Sequence, residues 1–180
     1  LNTAEQPAHL RQEVRGVWLI DWRADEGARV STEQQYHWTF AADGVDWHEL
    51  SNLYRIAPLA EKPAEKLKVA FHNSMFKCFV YVDGAGERPQ LVGAGRALAD
   101  GADCSYLCDI AVHPDQQGKG LGKAIVQHLM DASKGHRKII LYASAGKEGL
   151  YSKFGFARMK TAMANFGEHQ ESARSRGLID

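Results

Sequence analysis

A chain of 180 residues and 20.0 kDa, 44% hydrophobic and 24% charged, fits one domain of ordinary size and excludes a disordered or fibrous protein. Lys plus Arg and Asp plus Glu both number 22, so a uniformly basic coat for nucleic acid is excluded and no nucleic-acid partner is expected. No apolar run approaches about 18 residues and the first residues are polar, so no membrane association and no secretion signal are expected.

Residues 1–35 read as a polar N-terminal extension, broken only by Val17-Trp18-Leu19-Ile20-Asp21-Trp22, which is too short to decide between a strand and an anchored arm. Tyr36 to Phe40 is a β-prone aromatic run. After Asp43-Gly44, a helix capped near Asp46 is predicted through Trp47, Leu50, Leu53 and Tyr54, ending at Pro58. A second helix is predicted from Pro63 through Leu67, Ala70 and Phe71, with Asn73-Ser74 as its stop.

The period then changes to that of strands. Phe76 to Val82 and Gln90 to Leu98 form a hairpin around Asp83-Gly84-Ala85-Gly86, and Asp100-Gly101 turns the chain into a third strand, Tyr106 to Val112. That strand is almost wholly apolar, which predicts burial on both faces; Asp109 is its one charge. A Gly-rich loop follows His113-Pro114, and then a helix with Leu121, Ala124, Ile125, His128 and Leu129 on one stripe, stopping near Gly135. Lys138 to Ala143 reads as another buried strand, Glu148 to Lys153 as a short helix, and Phe156 to Phe166 as a last strand or pair. From Gly167 the tail is polar and expected to be loosely held. The order predicts a single-domain α/β protein over residues 36–166, with a mixed, mostly antiparallel sheet, between the extension 1–35 and the tail 167–180.

Cys78, Cys104 and Cys108 are an odd set in a chain too long to need disulfide staples, which suits free thiols in a reducing, cytoplasmic setting. Cys104 and Cys108 are not followed by a second pair, so no metal site is expected.

The most informative segment is Gln117-Gly118-Lys119-Gly120-Leu121-Gly122-Lys123, between a strand and a helix. Glycines let a ligand approach the main chain, and free N–H groups at a helix start form an anion site, so a phosphate or pyrophosphate is the natural occupant. A nucleotide P-loop would need Ser or Thr after Gly122-Lys123, where Ala124 stands. A dinucleotide fingerprint would need another glycine spacing and an acidic residue where Arg137 and Lys138 stand.

The loop instead fits Gln-x-x-Gly-x-Gly, on Gln117, Gly120 and Gly122. With Leu150-Tyr151-Ser152-Lys153-Phe154-Gly155-Phe156 downstream, the chain resembles the GNAT superfamily of acyl-CoA-dependent N-acyltransferases over roughly residues 45 to 166. The layout is similar to that of small bacterial and plastid acetyltransferases, and Ala111-Val112-His113 with Gln116 to Gly120 resembles the arylalkylamine (serotonin-type) branch. The resemblance implies a GNAT-like sheet with splayed central strands, acetyl-CoA as cosubstrate with no metal, and direct transfer to the primary amine of a small molecule. A protein lysine or N-terminal acceptor, and a non-catalytic acyl-CoA sensor, are the competing readings. Family habit also brings the expectation of a homodimer.

By the same resemblance, the main chain of Gln117, Gly118, Lys119, Gly120, Leu121, Gly122 and Lys123 would hold the CoA pyrophosphate, and Ile110, Ala111 and Val112 the pantetheine arm. Tyr151 would protonate the leaving thiolate or hydrogen-bond it. The two strand histidines of the arylalkylamine branch are replaced here by Tyr106 and Cys108. Asp109, alone in an apolar strand, is the candidate base, because burial there would raise its pKa. Its competing roles are a ligand of the substrate ammonium and a carboxylate that only hydrogen-bonds neighbouring loops. A covalent intermediate on Cys108 is disfavoured, and His113 reads as a loop contact. Tyr54 and Glu61 are candidates for substrate contact, with helix packing the competing role for Tyr54. Charge is locally uneven: residues 117–138 carry five basic side chains against Asp131, and residues 100–115 carry four aspartates and no Lys or Arg. That pattern suggests one side suited to a polyanionic cofactor and another to a cationic amine.

Overall fold

A computed structural model describes residues 35–57, 59, 61–83 and 88–180, together with the backbone of two strands at 10–14 and 17–20. The helix stop at Pro58, the connection through Gly84, Ala85 and Gly86, and most of the 1–35 extension, Asp21 and Trp22 included, lie outside the described residues. Two compact units make up the chain, residues 1–139 and 140–180.

In the first unit the strands are β1 (Leu10–Val14), β2 (Val17–Ile20), β3 (Tyr36–Thr39), β4 (Phe76–Val82), β5 (Gln90–Ala99), β6 (Cys104–Val112) and β7 (Lys138–Ile140). They lie side by side in chain order, and each pair from β1–β2 to β5–β6 is antiparallel. Between β3 and β4 come α1 (Trp47–Ile56) and α2 (Ala64–His72). The Asp46 carboxylate starts α1 as expected, accepting the N–H groups of His48 at 2.9 Å and Glu49 at 3.1 Å, a cap worth about 1 kcal/mol. Pro63 stands just ahead of α2, and Asn73 closes it.

Leu50, Leu53 and Tyr54 of α1 pack with Leu67 and Phe71 of α2 against Phe79, Leu91, Ala94 and Ala111 on one face of the sheet. The opposite face carries α3 (Leu121–Ala132). Its seat is a pair of glycines: a Cβ built on Gly95 would lie 2.7 Å from Ile125 Cγ2, and one on Gly93 3.0 Å from Ile125 Cδ1. The small residues of β5 thus admit the helix against the backbone. Farther along, His128 stacks on Phe40 with ring centroids 4.2 Å apart.

Three expectations are corrected. β6 buries only Ser105, Leu107 and Ala111 fully: Ser105 meets Ser133 at the end of α3 with Oγ atoms 2.7 Å apart, Ala111 packs in the α1–α2 core beyond an irregularity in the strand, and the remaining residues are half-buried. β7 covers only Lys138–Ile140 of the expected Lys138 to Ala143 and is half-exposed, with Tyr142 beyond it 61% exposed. Residues 156–166 form no strand: Met159 and Met163 stay exposed, and strand propensity without a packed face does not order a segment.

In the second unit, α4 (Glu148–Ser152) forms where the sequence predicts a short helix. The tail departs from its reading, because α5 (Gln170–Ser175) buries Ala173 and ends in a left-handed glycine. The Gly177 N–H donates to Arg174 C=O at 2.8 Å and the Leu178 N–H to Ala173 C=O at 3.0 Å, with φ +65° at Gly177. That pair of bonds is a Schellman stop, which satisfies the last helical carbonyls.

Candidate functional site

β6 runs directly into the Gly-rich loop. A short 3-10 turn, Pro114–Gln116, is opened by His113, whose N–H donates to Val92 C=O at 2.8 Å and whose Nδ1 accepts the Asp115 N–H at 3.2 Å. His113 is therefore a loop contact, as expected. Gly118 and Gly120 take φ of +77° and +86°, and Gly120 stands at the N-cap of α3 without a side chain to cap it. The first intrahelical bond is Ala124 N–H to Gly120 C=O, 3.1 Å, so the N–H groups of Leu121, Gly122 and Lys123 precede the ladder and carry the positive end of the helix dipole. Gly122 lies above Val112, and its absent side chain keeps the main chain approachable. Leu121 is buried and can offer only backbone, whereas Lys119 and Lys123 are exposed. The loop is tied down by Gln117, whose Nε2 donates to Val112 C=O at 3.2 Å, and by Gln116. The Gln116 Oε1 accepts from Tyr36 OH at 2.8 Å and Lys119 Nζ at 3.0 Å. This row of donors fits a pyrophosphate.

Upstream, β6 is bulged. The register passes from Ala94↔Ala111 to Arg96↔Cys108, so Asp109 and Ile110 together oppose Gly95. Asp109 has φ +54° and is the only non-glycine with positive φ among the described residues, a conformation that costs about 1–2 kcal/mol without compensation. The bulge takes main-chain groups of Asp109 and Ile110 out of the β5–β6 ladder.

The Asp109 side chain is 12% exposed and doubly paired. Its Oδ1 accepts from Lys62 Nζ, and its Oδ2 accepts from Arg96 Nε at 2.6 Å. Burial alone would raise its pKa, but the two cations outweigh it and hold the carboxyl below its ordinary value. The expected elevation therefore does not occur, and both oxygens already have cationic partners in place of a substrate ammonium.

Tyr54 is fully buried, and its OH donates to the Asp109 C=O at 2.5 Å. It packs and anchors the bulge, which removes it from the substrate-contacting residues; burial pushes its pKa well up. Glu61 is exposed beside Lys62. Ile110 and Val112 are half-buried and Ala111 is buried in the α1–α2 core, so these three can meet a ligand chiefly through backbone. Burial pushes the Cys108 thiol up to about 11, so it is neutral at pH 7 and replaces a strand histidine as neither base nor nucleophile.

The charge blocks also read differently in space. Asp103 pairs with Arg137 and Lys138, and Lys134 pairs with Asp131. Asp100 accepts the N–H groups of Ala102, Asp103 and Cys104 at the turn. Much of the apparent asymmetry is thus local pairing, and only Lys119 and Lys123 of the basic block belong to the loop.

Sequence reasoning missed Lys62, Arg96 and Gln116. Arg96 had a signal equal to that of Asp109, a lone charge in the run Leu91 to Ala99; Gln116 stood only within the run that resembles the arylalkylamine branch, and Lys62 had no signal. In the second unit, Tyr151 is half-buried, with its ring edge-on to Phe156 at 6.2 Å, and burial raises its pKa. Its C=O accepts the Phe154 N–H at 2.9 Å, closing the short helix.

The family model described as Acetyltransferase (GNAT) family matches residues 45–156, more than half of the chain. An "Uncharacterized N-acetyltransferase ycf52-like" of Prochlorococcus marinus is 28% identical over 130 residues, 71% of this chain and 72% of that protein. "Serotonin N-acetyltransferase 2, chloroplastic" of rice is 29% identical over 120 residues, 65% of this chain and 59% of its own length. Among solved structures, a Staphylococcus aureus protein titled a probable acetyltransferase aligns with a TM-score of 0.62 at 24% identity, covering 74% of this chain and 98% of the other.

Proposed function

The chain belongs to the acetyltransferase (GNAT) family, and from that premise we propose that it moves the acetyl group of acetyl-CoA to the primary amine of a small molecule. The observation that carries the reading is the start of α3, where a left-handed Gly120 without a capping side chain leaves three main-chain donors beside Lys119 and Lys123. Those donors would hold the CoA phosphates. The bulge at Asp109 and Ile110 would offer main chain to the thioester, polarising its carbonyl as an oxyanion site does. The amine attacks that carbonyl carbon, the C–S bond breaks, and CoA leaves as thiolate.

Two protons must be moved. An amine with a pKa of about 10.4 is neutral in about one molecule in 2,500 at pH 7, a cost of about 4.6 kcal/mol. Asp109, already paired with two cations, is poorly suited to relieve it. For the thiolate, Tyr151 is the proposed partner. A phenol near 10 is already about 1.5 units weaker an acid than a thiol near 8.5, a deficit of about 2 kcal/mol. Burial widens that gap, so hydrogen-bonding the sulfur is favoured over complete proton transfer.

The test is a free-thiol release screen with acetyl-CoA across arylalkylamines, polyamines, amino acids, aminoglycosides and peptides. Turnover with a small amine is the expected result. Turnover restricted to peptides would move the acceptor to a protein lysine or N-terminus, and tight acetyl-CoA binding without release on any amine would mark a sensor. A Tyr151→Phe variant with wild-type turnover would remove the tyrosine from the chemistry.

A further inference from the structure

The cluster around Asp109 is left over once its role as a base is weakened, yet three separate elements converge on this one residue. Lys62 reaches Oδ1 from the α1–α2 connection, Arg96 reaches Oδ2 from β5, and Tyr54 of α1 reaches the carbonyl. Each arm is itself held. The Lys62 carbonyl accepts from Ser51 Oγ at 2.7 Å, and its ammonium lies 5.4 Å from the centroid of the Tyr54 ring. Arg96 also donates through Nη1 to Ser74 Oγ at 3.1 Å, and its guanidinium carbon lies 5.9 Å from the centroid of the Phe71 ring. All this restraint falls on the only described non-glycine with positive φ, at the one place where β6 carries an extra residue against Gly95.

We propose that Lys62, Arg96 and Asp109 form a positioning device that holds the Asp109–Ile110 bulge in its left-handed turn, and that Asp109 takes no proton from the acceptor. The inference rests on the reading above that the bulge offers its main chain to the thioester. Proton acceptance at Asp109 would dissolve both ion pairs and strand two cations in a half-buried site, which works against the geometry it is built to hold. The ionisable groups surrounding the carboxylate are Lys62, Arg96, Tyr54 and Cys108.

The experiment compares Asp109→Gly, Asp109→Asn, Asp109→Ala and Lys62→Met with the wild type. Glycine and asparagine tolerate a left-handed backbone and alanine does not. Acetyl-CoA affinity is read by calorimetry without acceptor, followed by kcat, KM and the pH profile of kcat/KM with an amine that the screen finds. A positioning role predicts that all three substitutions at Asp109, which take the carboxylate from its two cations, weaken acetyl-CoA binding without acceptor, by about threefold to fivefold for Gly and Asn and about tenfold for Ala. Loss of a base would leave that affinity unmoved. The same role predicts that Lys62→Met leaves the acidic limb of the profile in place. A base at Asp109 predicts equal losses of about a hundredfold or more in kcat for all three substitutions. It also predicts an acidic limb displaced to higher pH in Lys62→Met, since a cation facing the carboxylate is gone; either result overturns the proposal. Wild-type protein that neither binds acetyl-CoA nor releases CoA would instead overturn the acetyltransferase reading. The device is then read by thermal melting, where Asp109→Ala should melt about 2–4 °C below Asp109→Gly, and equal midpoints overturn it.

Discussion

Replacing Gly95 by alanine tests whether α3 is seated on bare backbone. The new methyl carbon would stand 2.7 Å from Ile125 Cγ2, 3.1 Å from Leu129 Cδ1 and 3.4 Å from Ile110 Cγ1. Ordinary carbon contacts are about 3.5–4.0 Å, so the closest pair must part by about 1 Å. A β-branch methyl cannot swing aside alone, which leaves a shift of the whole helix or a strained rotamer. Overpacking of this kind costs about 1–3 kcal/mol, reduced by about 0.4–1 kcal/mol for the stiffer unfolded chain. The net cost is about 0.6–2 kcal/mol, and at about 2–4 °C per kcal/mol for a chain of this size the thermal midpoint should fall by about 1–8 °C. Gly93→Ala is the control. Its nearest neighbour is Ile125 Cδ1 at 3.0 Å, the mobile end of the side chain, and the loss should be less than half as large. In an Ile125→Leu background, which lacks Cγ2, the two changes should be clearly non-additive, with part of the Gly95→Ala cost recovered. Wild-type stability in Gly95→Ala, or a larger loss in Gly93→Ala, would refute the seat.

Tyr54→Phe should lower stability by about 1–3 kcal/mol in urea unfolding, because the Asp109 carbonyl loses its buried donor; an unchanged midpoint would refute the anchor. Gly120→Ala should weaken acetyl-CoA binding about tenfold in calorimetry, since φ +86° is strained for alanine. Gly122→Ala, whose methyl meets Val112 Cγ2 at an ordinary 3.6 Å, should leave the thermal midpoint almost unmoved. Acid unfolding carries a sign. The folded Asp109 carboxyl lies below its ordinary value, so its pairs contribute stability above about pH 4 and lose it as the pH falls through the depressed folded value. Asp109→Asn should therefore be less stable than wild type at pH 7, with the deficit shrinking as the pH is lowered below about 4, and a deficit independent of pH would refute the ion pairs.

Local chemistry made much of this molecule readable from its residues. Asp46 announces α1 because a short carboxylate ahead of an apolar period has one natural use, and the glycines at 118 and 120 announce a loop that only glycine can make. Asp109 was conspicuous for its charge, yet its role depended on Arg96, 13 residues away, and Lys62, 47 residues away. Neither separation has a periodic signature. The bulge was equally silent, because an extra residue shows only against a partner strand. Beyond Ile140 the error ran the other way: Leu141, Tyr142 and the run from Phe156 have strand-forming composition, but their order depends on what covers them, which composition does not carry.

Strand order that repeats chain order also has a kinetic meaning. From β3 to β6 each strand pairs with one already made, β4 joining β3 across α1 and α2 and β5 and β6 following by short connections, so a chain emerging from the ribosome can extend the sheet without waiting for a later strand. The bonds that meet at Asp109 also reach back over the helices, 47 residues to Lys62 and 55 to Tyr54. They can close only when β6 docks on a ribbon whose helices are already laid down. The bend in that strand is therefore a late event in assembly, a latch that reports the preceding helices, β4 and β5 as correctly placed.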